Sequence, residues 1–146
     1  MEASIRWNGA VRFEVETGSG ATLTTDGPPE SGGVGAGARP MELVLSGAGA
    51  CASYDVVHIM RKGRHDITDC VCTLQAERAP EPPKVFTKVH MHFVVTGHGI
   101  TDKAVARAVQ LSAEKYCSAS IMLARAGVEI THTHEVVSLP PRGEDA

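Results

Sequence analysis

Two cysteines, Cys51 and Cys117, stand in surroundings that suit thiol chemistry. Only the thiolate is a good nucleophile, and a free thiol ionises near pH ~8.5, so a reactive cysteine needs positive charge beside it. Cys51 lies in the run Ser46-Gly47-Ala48-Gly49-Ala50-Cys51-Ala52-Ser53, made only of small residues. Cys117 sits at a predicted helix junction, just ahead of a segment that Ser118 or Ser120 can cap, with Lys115 close by. The first amides of a helix carry partial positive charge, which favours a thiolate there. Two thiols on separate helices can meet in space, one attacking and one resolving. The bland reading of each is a small core hydrophobe.

Other residues compete for a role. Cys70 and Cys72 are two apart on a predicted strand and share a face, a weak metal pattern read here as structural. His90-Met91-His92 and His132-Thr133-His134 each put two imidazoles on one strand face. If those strands were neighbours, four imidazoles could gather and hold Zn or Ni. The plainer reading is a solvated face for His90 and His92. For His132 and His134, which share parity with Val128, Ile130 and Val136, it is a half-buried face or a dimer contact. No resident metal or cofactor is expected. His58 and His65 lie near a helix end, where the dipole favours a cation. Asp55 and Tyr54 can reach the Cys51 side of the helix, and a carboxylate beside a thiol raises its pKa. Asp55 is therefore expected to be paired elsewhere.

The elements that carry these residues follow from periodicity and caps. Arg39–Gly63 reads as one long helix of roughly 35 Å. It is entered through Pro40 and stopped at Gly63 after Arg61 and Lys62. No polar face exists between Leu43 and Ser53, so burial on all sides is expected. One small sheet cannot wrap such a helix, which predicts an obligate dimer. Glycines inside a helix cost about 1 kcal/mol each, which suggests close approach by another backbone. Before the helix comes a β-meander: Ser4–Trp7, an Asn8-Gly9 hairpin, Val11–Glu16, then Ala21–Thr25. Asp26–Ala38 is rich in Gly and Pro without a phosphate-binding spacing, and reads as a flexible connector over the mouth of a site. After the helix come strands Ile67–Glu77 and Val85–Thr96, and then a Thr101-capped helix to about Cys117. A short helix Ile121–Arg125 and a strand Val128–Val137 complete the set. The order is β-β-β-α-β-β-α-α-β. Residues 1–138 are expected to form a single domain and 139–146 a disordered tail.

Composition bounds the rest. The chain has 146 residues, 42% hydrophobic and only 4% aromatic, so its core must be aliphatic. A net charge of −3 without a basic cluster argues against nucleic acid and anionic membrane as partners. No apolar run of about 18 residues and no signal segment at Met1 were found, so a cytoplasmic address with reduced cysteines is expected.

Two stretches resemble a known family. Pro40-Met41-Glu42-Leu43, with Cys51 eleven residues after the proline, resembles the first cysteine segment of the OsmC/Ohr family. Lys115-Tyr116-Cys117-Ser118-Ala119-Ser120 resembles the second, where the family has Cys-Pro-x-Ser. The likeness spans roughly residues 3 to 137 and is nearest to the OsmC-like branch of uncertain substrate. It implies an α+β fold: a long buried central helix and a second helix packed on antiparallel sheets, in an intertwined homodimer. It also implies a peroxidase acting on organic hydroperoxides in oxidative stress defence. Cys51 would be the peroxidatic thiol and Cys117 the resolving one. A dithiol reductant, lipoylated protein in the family, would restore them. In the peroxidases a Glu follows the proline and pairs with an Arg that holds the thiolate. Here Met41 takes that place and the acid is Glu42; Arg39 is the better candidate for the Arg, and Arg12 the other. The alternative on the same scaffold is a non-catalytic protein holding a small apolar ligand in the dimer crevice.

Overall fold

The computed structural model describes residues 1–143, which fall into two compact units, Met1–Ser46 and Gly47 onward. The element order is the expected one, with a short 3-10 turn at Pro29–Ser31 added.

In the first unit, β1 (Ala3–Trp7), β2 (Phe13–Thr17) and β3 (Thr22–Thr25) form an antiparallel sheet in that order. The first hairpin is wider than the two-residue Asn8-Gly9 turn expected. Asn8 N–H donates to the Arg12 carbonyl at 2.9 Å, so three residues cross between the strands. Gly9 and Ala10 both take positive φ, +82° and +46°. Glycine reaches that region freely and alanine does not. The Trp7 indole N–H, donating to the Ala10 carbonyl at 2.9 Å, ties the wider turn down.

The Asp26–Ala38 segment is folded on itself rather than a loose connector. The buried Asp26 carboxylate accepts from the amides of Gly27, Val34 and Ala36 at 2.8, 3.0 and 3.0 Å. The Val34 and Ala36 amides, with smaller help from Gly27 and the Arg12 guanidinium, hold it below the usual carboxylate range. Gly37 is required because a Cβ there would overlap the Thr24 carbonyl.

Helix α1 (Pro40–Lys62) begins in the first unit and continues in the second. It is not buried all round within one chain. Ala48, Ala52, Val56 and Met60, at i+4 spacing, form the buried stripe, and Val44 and Tyr54 are exposed. Gly49 meets a close neighbour, the Leu74 side chain, whereas a Cβ on Gly47 would meet nothing within 4 Å. At 23 residues α1 is also long and apolar enough to cross a bilayer, where no such run was expected. Glu42, Ser46 and Asp55 interrupt the run without lowering its mean far, and a core helix carries the same signature.

The rest of the second unit is a sheet in the order β4 (Asp66–Arg78), β5 (Phe86–His98), β6 (Glu129–Leu139). Central β5 alternates cleanly, with Val89, Met91, Phe93 and Val95 fully buried. Truncating a residue such as Phe93 to Ala should cost about 3–5 kcal/mol. The sheet is mixed, not wholly antiparallel: β4 and β5 are antiparallel, but β5 and β6 run parallel. A parallel pair needs a long crossover, which the intervening helices provide. The first, α2 (Asp102–Leu111), is capped by Thr101, whose Oγ1 accepts from the Ala104 amide at 3.2 Å, and buries Val105, Ala108 and Val109. The helical run ends at Tyr116, beside Cys117 as expected, but its last part widens into a π-turn over Ser112–Tyr116 before α3 (Ser118–Arg125) begins. Of the expected 139–146 tail, Leu139 closes β6, and Arg142 Nε lies 2.8 Å from Asp66 Oδ2. Residues 144–146 lie outside the described residues.

Candidate active site

Cys51 and Cys117 come together in the second unit, at the start of α3. The π-turn sets this up. Cys117 N–H donates to the Ser112 carbonyl at 2.8 Å, five residues back, and Cys117 then turns extended (φ −74°, ψ 94°). Cys117, not Ser118 or Ser120, is the N-cap: its sulfur accepts from the Ser120 amide at 3.4 Å. It is fully buried. Cys51 is half-buried, with its Sγ 3.7 Å from Ser118 Oγ, while the Cys117 Sγ lies 3.9 Å from the Ala48 carbonyl.

The two sulfurs are tuned in opposite directions. Burial pushes Cys51 up, but the Ala119 amide, the Ser118 hydroxyl and the Cys117 thiol together outweigh it and bring the group below the ordinary thiol range. Burial raises Cys117; Ser120 counters this in part, and the neighbouring Cys51 adds to the rise. Of the two, Cys51 therefore ionises the more readily. A partly exposed thiolate is a nucleophile, and a thiol in hydrogen-bond reach of it can attack once the first sulfur is oxidised.

Asp55 lies one turn after Cys51, and its charge raises the thiol. It is engaged by Ser112, whose hydroxyl donates to Asp55 Oδ2 at 3.0 Å and also lies 3.4 Å from the Ala52 carbonyl.

Glu42 and Arg39 form a different contact. Arg39 N–H donates to Glu42 Oε1 at 2.8 Å, so the Glu42 carboxylate reaches back to cap the first turn of α1. Among the described residues the Arg39 guanidinium makes no ion pair with it. Arg12 acts on Asp26.

The four-imidazole cluster does not form. The strands are neighbours, but Met91 pairs with His132 and His90 with Thr131, so the two histidine pairs face opposite sides of the sheet. His90 and His92 hydrogen-bond Thr131, Thr133 and Glu135. His132 stacks on Phe93, and His134 Nε2 lies 2.8 Å from Asp102 Oδ1. Among the described residues no group of three or more His, Cys, Asp or Glu is placed to hold a metal. Cys70 and Cys72 lie opposite Val95 and Phe93. An open groove of about 820 Å³ runs along α1, with Ala50, Val57 and Cys70 among its apolar lining and Arg61 and Lys62 at its cationic end.

Sequence reasoning treated Ser118 as a cap only, and passed over the Ala119 amide and the π-turn. Ser112, a polar residue at helical spacing within an apolar stripe, was the available signal.

Comparison with known proteins places these features in context. The family profile described as OsmC-like protein matches residues 32–133. Protein YhfA of Escherichia coli K12 is 48% identical over 138 residues, covering 94% of this chain and 99% of that protein. A structure from Aquifex aeolicus described as a hypothetical protein is 29% identical, with a TM-score of 0.82, and covers 94% of this chain and 96% of its own. The Legionella pneumophila structure described as an organic hydroperoxide resistance protein OsmC, predicted redox protein, is 23% identical. Its TM-score is 0.65, with 94% and 96% covered.

Proposed function

The chain belongs to the OsmC-like family, and from that premise we propose that it is a thiol-dependent peroxidase reducing organic hydroperoxides in oxidative stress defence. One observation carries the reading: Cys51, half-exposed and drawn below the ordinary thiol range, meets the start of α3 beside a second, buried thiol, Cys117. The Cys51 thiolate attacks the terminal peroxidic oxygen; an S–O bond forms as the O–O bond breaks, and the alkoxide leaves and takes a proton from water to become the alcohol. Cys51 is then a sulfenic acid. The Cys117 sulfur attacks it, an S–S bond forms, and water departs. A dithiol reductant, such as a lipoylated protein, returns both thiols by exchange and is itself oxidised. The resemblance to a Legionella pneumophila protein described by hydroperoxide resistance supports the substrate class.

A cytoplasmic homodimer is part of the same proposal. The α1 face outside its buried stripe, with Val44 and Tyr54 exposed and Gly47 open, supports cover by a second copy. Sedimentation should give twice the chain mass of 15.4 kDa, and a monomer at micromolar concentration would remove this part.

A second reading, non-catalytic binding of a small apolar ligand, draws on the groove beside α1 and on Glu42 being engaged as a cap. Cumene hydroperoxide separates the two. The peroxidase reading expects rapid loss of two thiols per chain, restored by a dithiol; thiols left intact in excess peroxide favour the binder.

A further inference from the structure

We propose that Ser118 and Ala119 form the donor pair that holds Cys51 as a thiolate, with the Ser118 hydroxyl as the side chain that sets its reactivity. The consequence for turnover rests on the peroxidase reading above; the donor role itself does not. Ser118 Oγ lies 3.7 Å from Cys51 Sγ, and among the described residues this is the hydroxyl's hydrogen bond. It is not spent on the helix, because the N-cap function belongs to Cys117. Nor does the backbone call for serine here. Ser118 is the first residue of α3 and Cys117 before it is extended (φ −74°, ψ 94°), a conformation that even proline would accept.

The Ala119 amide completes the pair. The first amides of a helix have no intrahelical partner. The Ser120 amide goes to the Cys117 sulfur at 3.4 Å, and the Ala119 amide, one residue before it, favours the Cys51 anion. The hydroxyl in contact with the Cys51 sulfur and the amide of the next residue thus act on it in the same direction. Both bonds strengthen when that sulfur becomes an anion, since charge-assisted hydrogen bonds are stronger than neutral ones. The amide is fixed by the helix. The hydroxyl is the half that substitution can remove, and Ser118 is exposed, so its removal leaves no cavity.

The test uses the reduced full-length protein. Iodoacetamide labelling across a pH series, read at the Cys51 peptide by mass spectrometry, gives the thiolate midpoint. Ser118→Ala and Ser118→Pro should both raise that midpoint by about 0.5–1 pH unit. At a pH below the parent midpoint that leaves roughly 3- to 10-fold less thiolate. Ser118→Thr, which keeps a hydroxyl, should restore it. Proline fits this backbone, so agreement between Ala and Pro excludes a folding artefact. A midpoint unchanged in both variants overturns the proposal, as does a Thr variant that behaves like Ala. Hydroperoxide consumption is measured in parallel. A shifted midpoint with no peroxide-driven thiol loss in the parent protein upholds the donor role while removing the peroxidase reading.

Discussion

Cys51 with Cys117, and Cys70 with Cys72, are two thiol pairs in one molecule, and they differ in what surrounds the sulfur. Cys51, Cys70 and Cys72 are all half-buried. Burial is the largest influence on each of the three and pushes each upward. For Cys70 that direction prevails, reinforced by Cys72 and Asp69. For Cys72 it prevails over a hydrogen bond from Ser53. For Cys51 it is reversed. The strand pair sits in edge strand β4, where the Cys70 amide donates to Asp69 Oδ1 at 2.9 Å rather than to a thiol. The helix pair meets where α3 begins and its first amides have no intrahelical partner. Closeness in sequence does not lower the CxC thiols; donors at the start of a helix distinguish the other pair.

The comparison breaks most easily under peroxide. Cys51→Ser should abolish hydroperoxide consumption, while Cys70→Ser and Cys72→Ser should leave it near the parent rate, as followed by a peroxide-specific dye. Loss of activity in the strand variants alone would reverse the assignment. Cys117→Ser should be next in effect. On the proposed mechanism it removes the resolving sulfur, so one turnover should proceed and recycling by dithiol should fail. Intact mass should then show Cys51 advancing to sulfinic acid.

The pH order of labelling is a third contrast. Cys51 lies below the ordinary thiol range and Cys70 and Cys72 above it. As pH rises, the Cys51 thiolate therefore appears first and the strand thiols later. Peptide-resolved alkylation should show Cys51 labelled ahead of both at neutral pH; equal midpoints would erase the distinction.

Element types and order were legible because each rests on a local pattern: alternation along β5, Thr101 before α2, and Pro40 at the start of α1. What was missed depends on partners distant in the chain or on backbone geometry. The parallel β5–β6 pairing, which puts His90 and His132 on opposite faces, cannot be read from either strand alone. The wide Gly9–Ala10 turn follows from the Trp7 indole bond, not from the Asn-Gly signal. The expected burial of α1 on all sides concerned more surface than one chain supplies. At the site, two distant cysteines could be singled out by type and context, but the donors between them are an amide and a hydroxyl positioned by a π-turn. No residue type announces a five-residue backbone bond such as Cys117 to Ser112. Glu42 and Arg39 came from resemblance, and the contact between them is a cap on α1.

The smallest effect tests the sign of a single charge. Asp55 opposes ionisation of Cys51, and it is held by the Ser112 hydroxyl from the π-turn. Asp55→Asn removes the negative charge but keeps an oxygen for Ser112 to donate to, so the turn should persist. The Cys51 midpoint should then fall by about 0.5 pH unit, with roughly 3-fold more thiolate at a pH below the midpoint. Cys70 and Cys72, whose shifts owe nothing to Asp55, should not move. Ser53→Ala is the counterpart in the strand pair, where loss of the hydrogen bond to Cys72 should raise that thiol and leave Cys51 unchanged. Opposite shifts, each confined to its own pair, would establish that donors and charges local to each sulfur govern the two. A shift common to both pairs would mean that a general change in solvation, not these contacts, separates them.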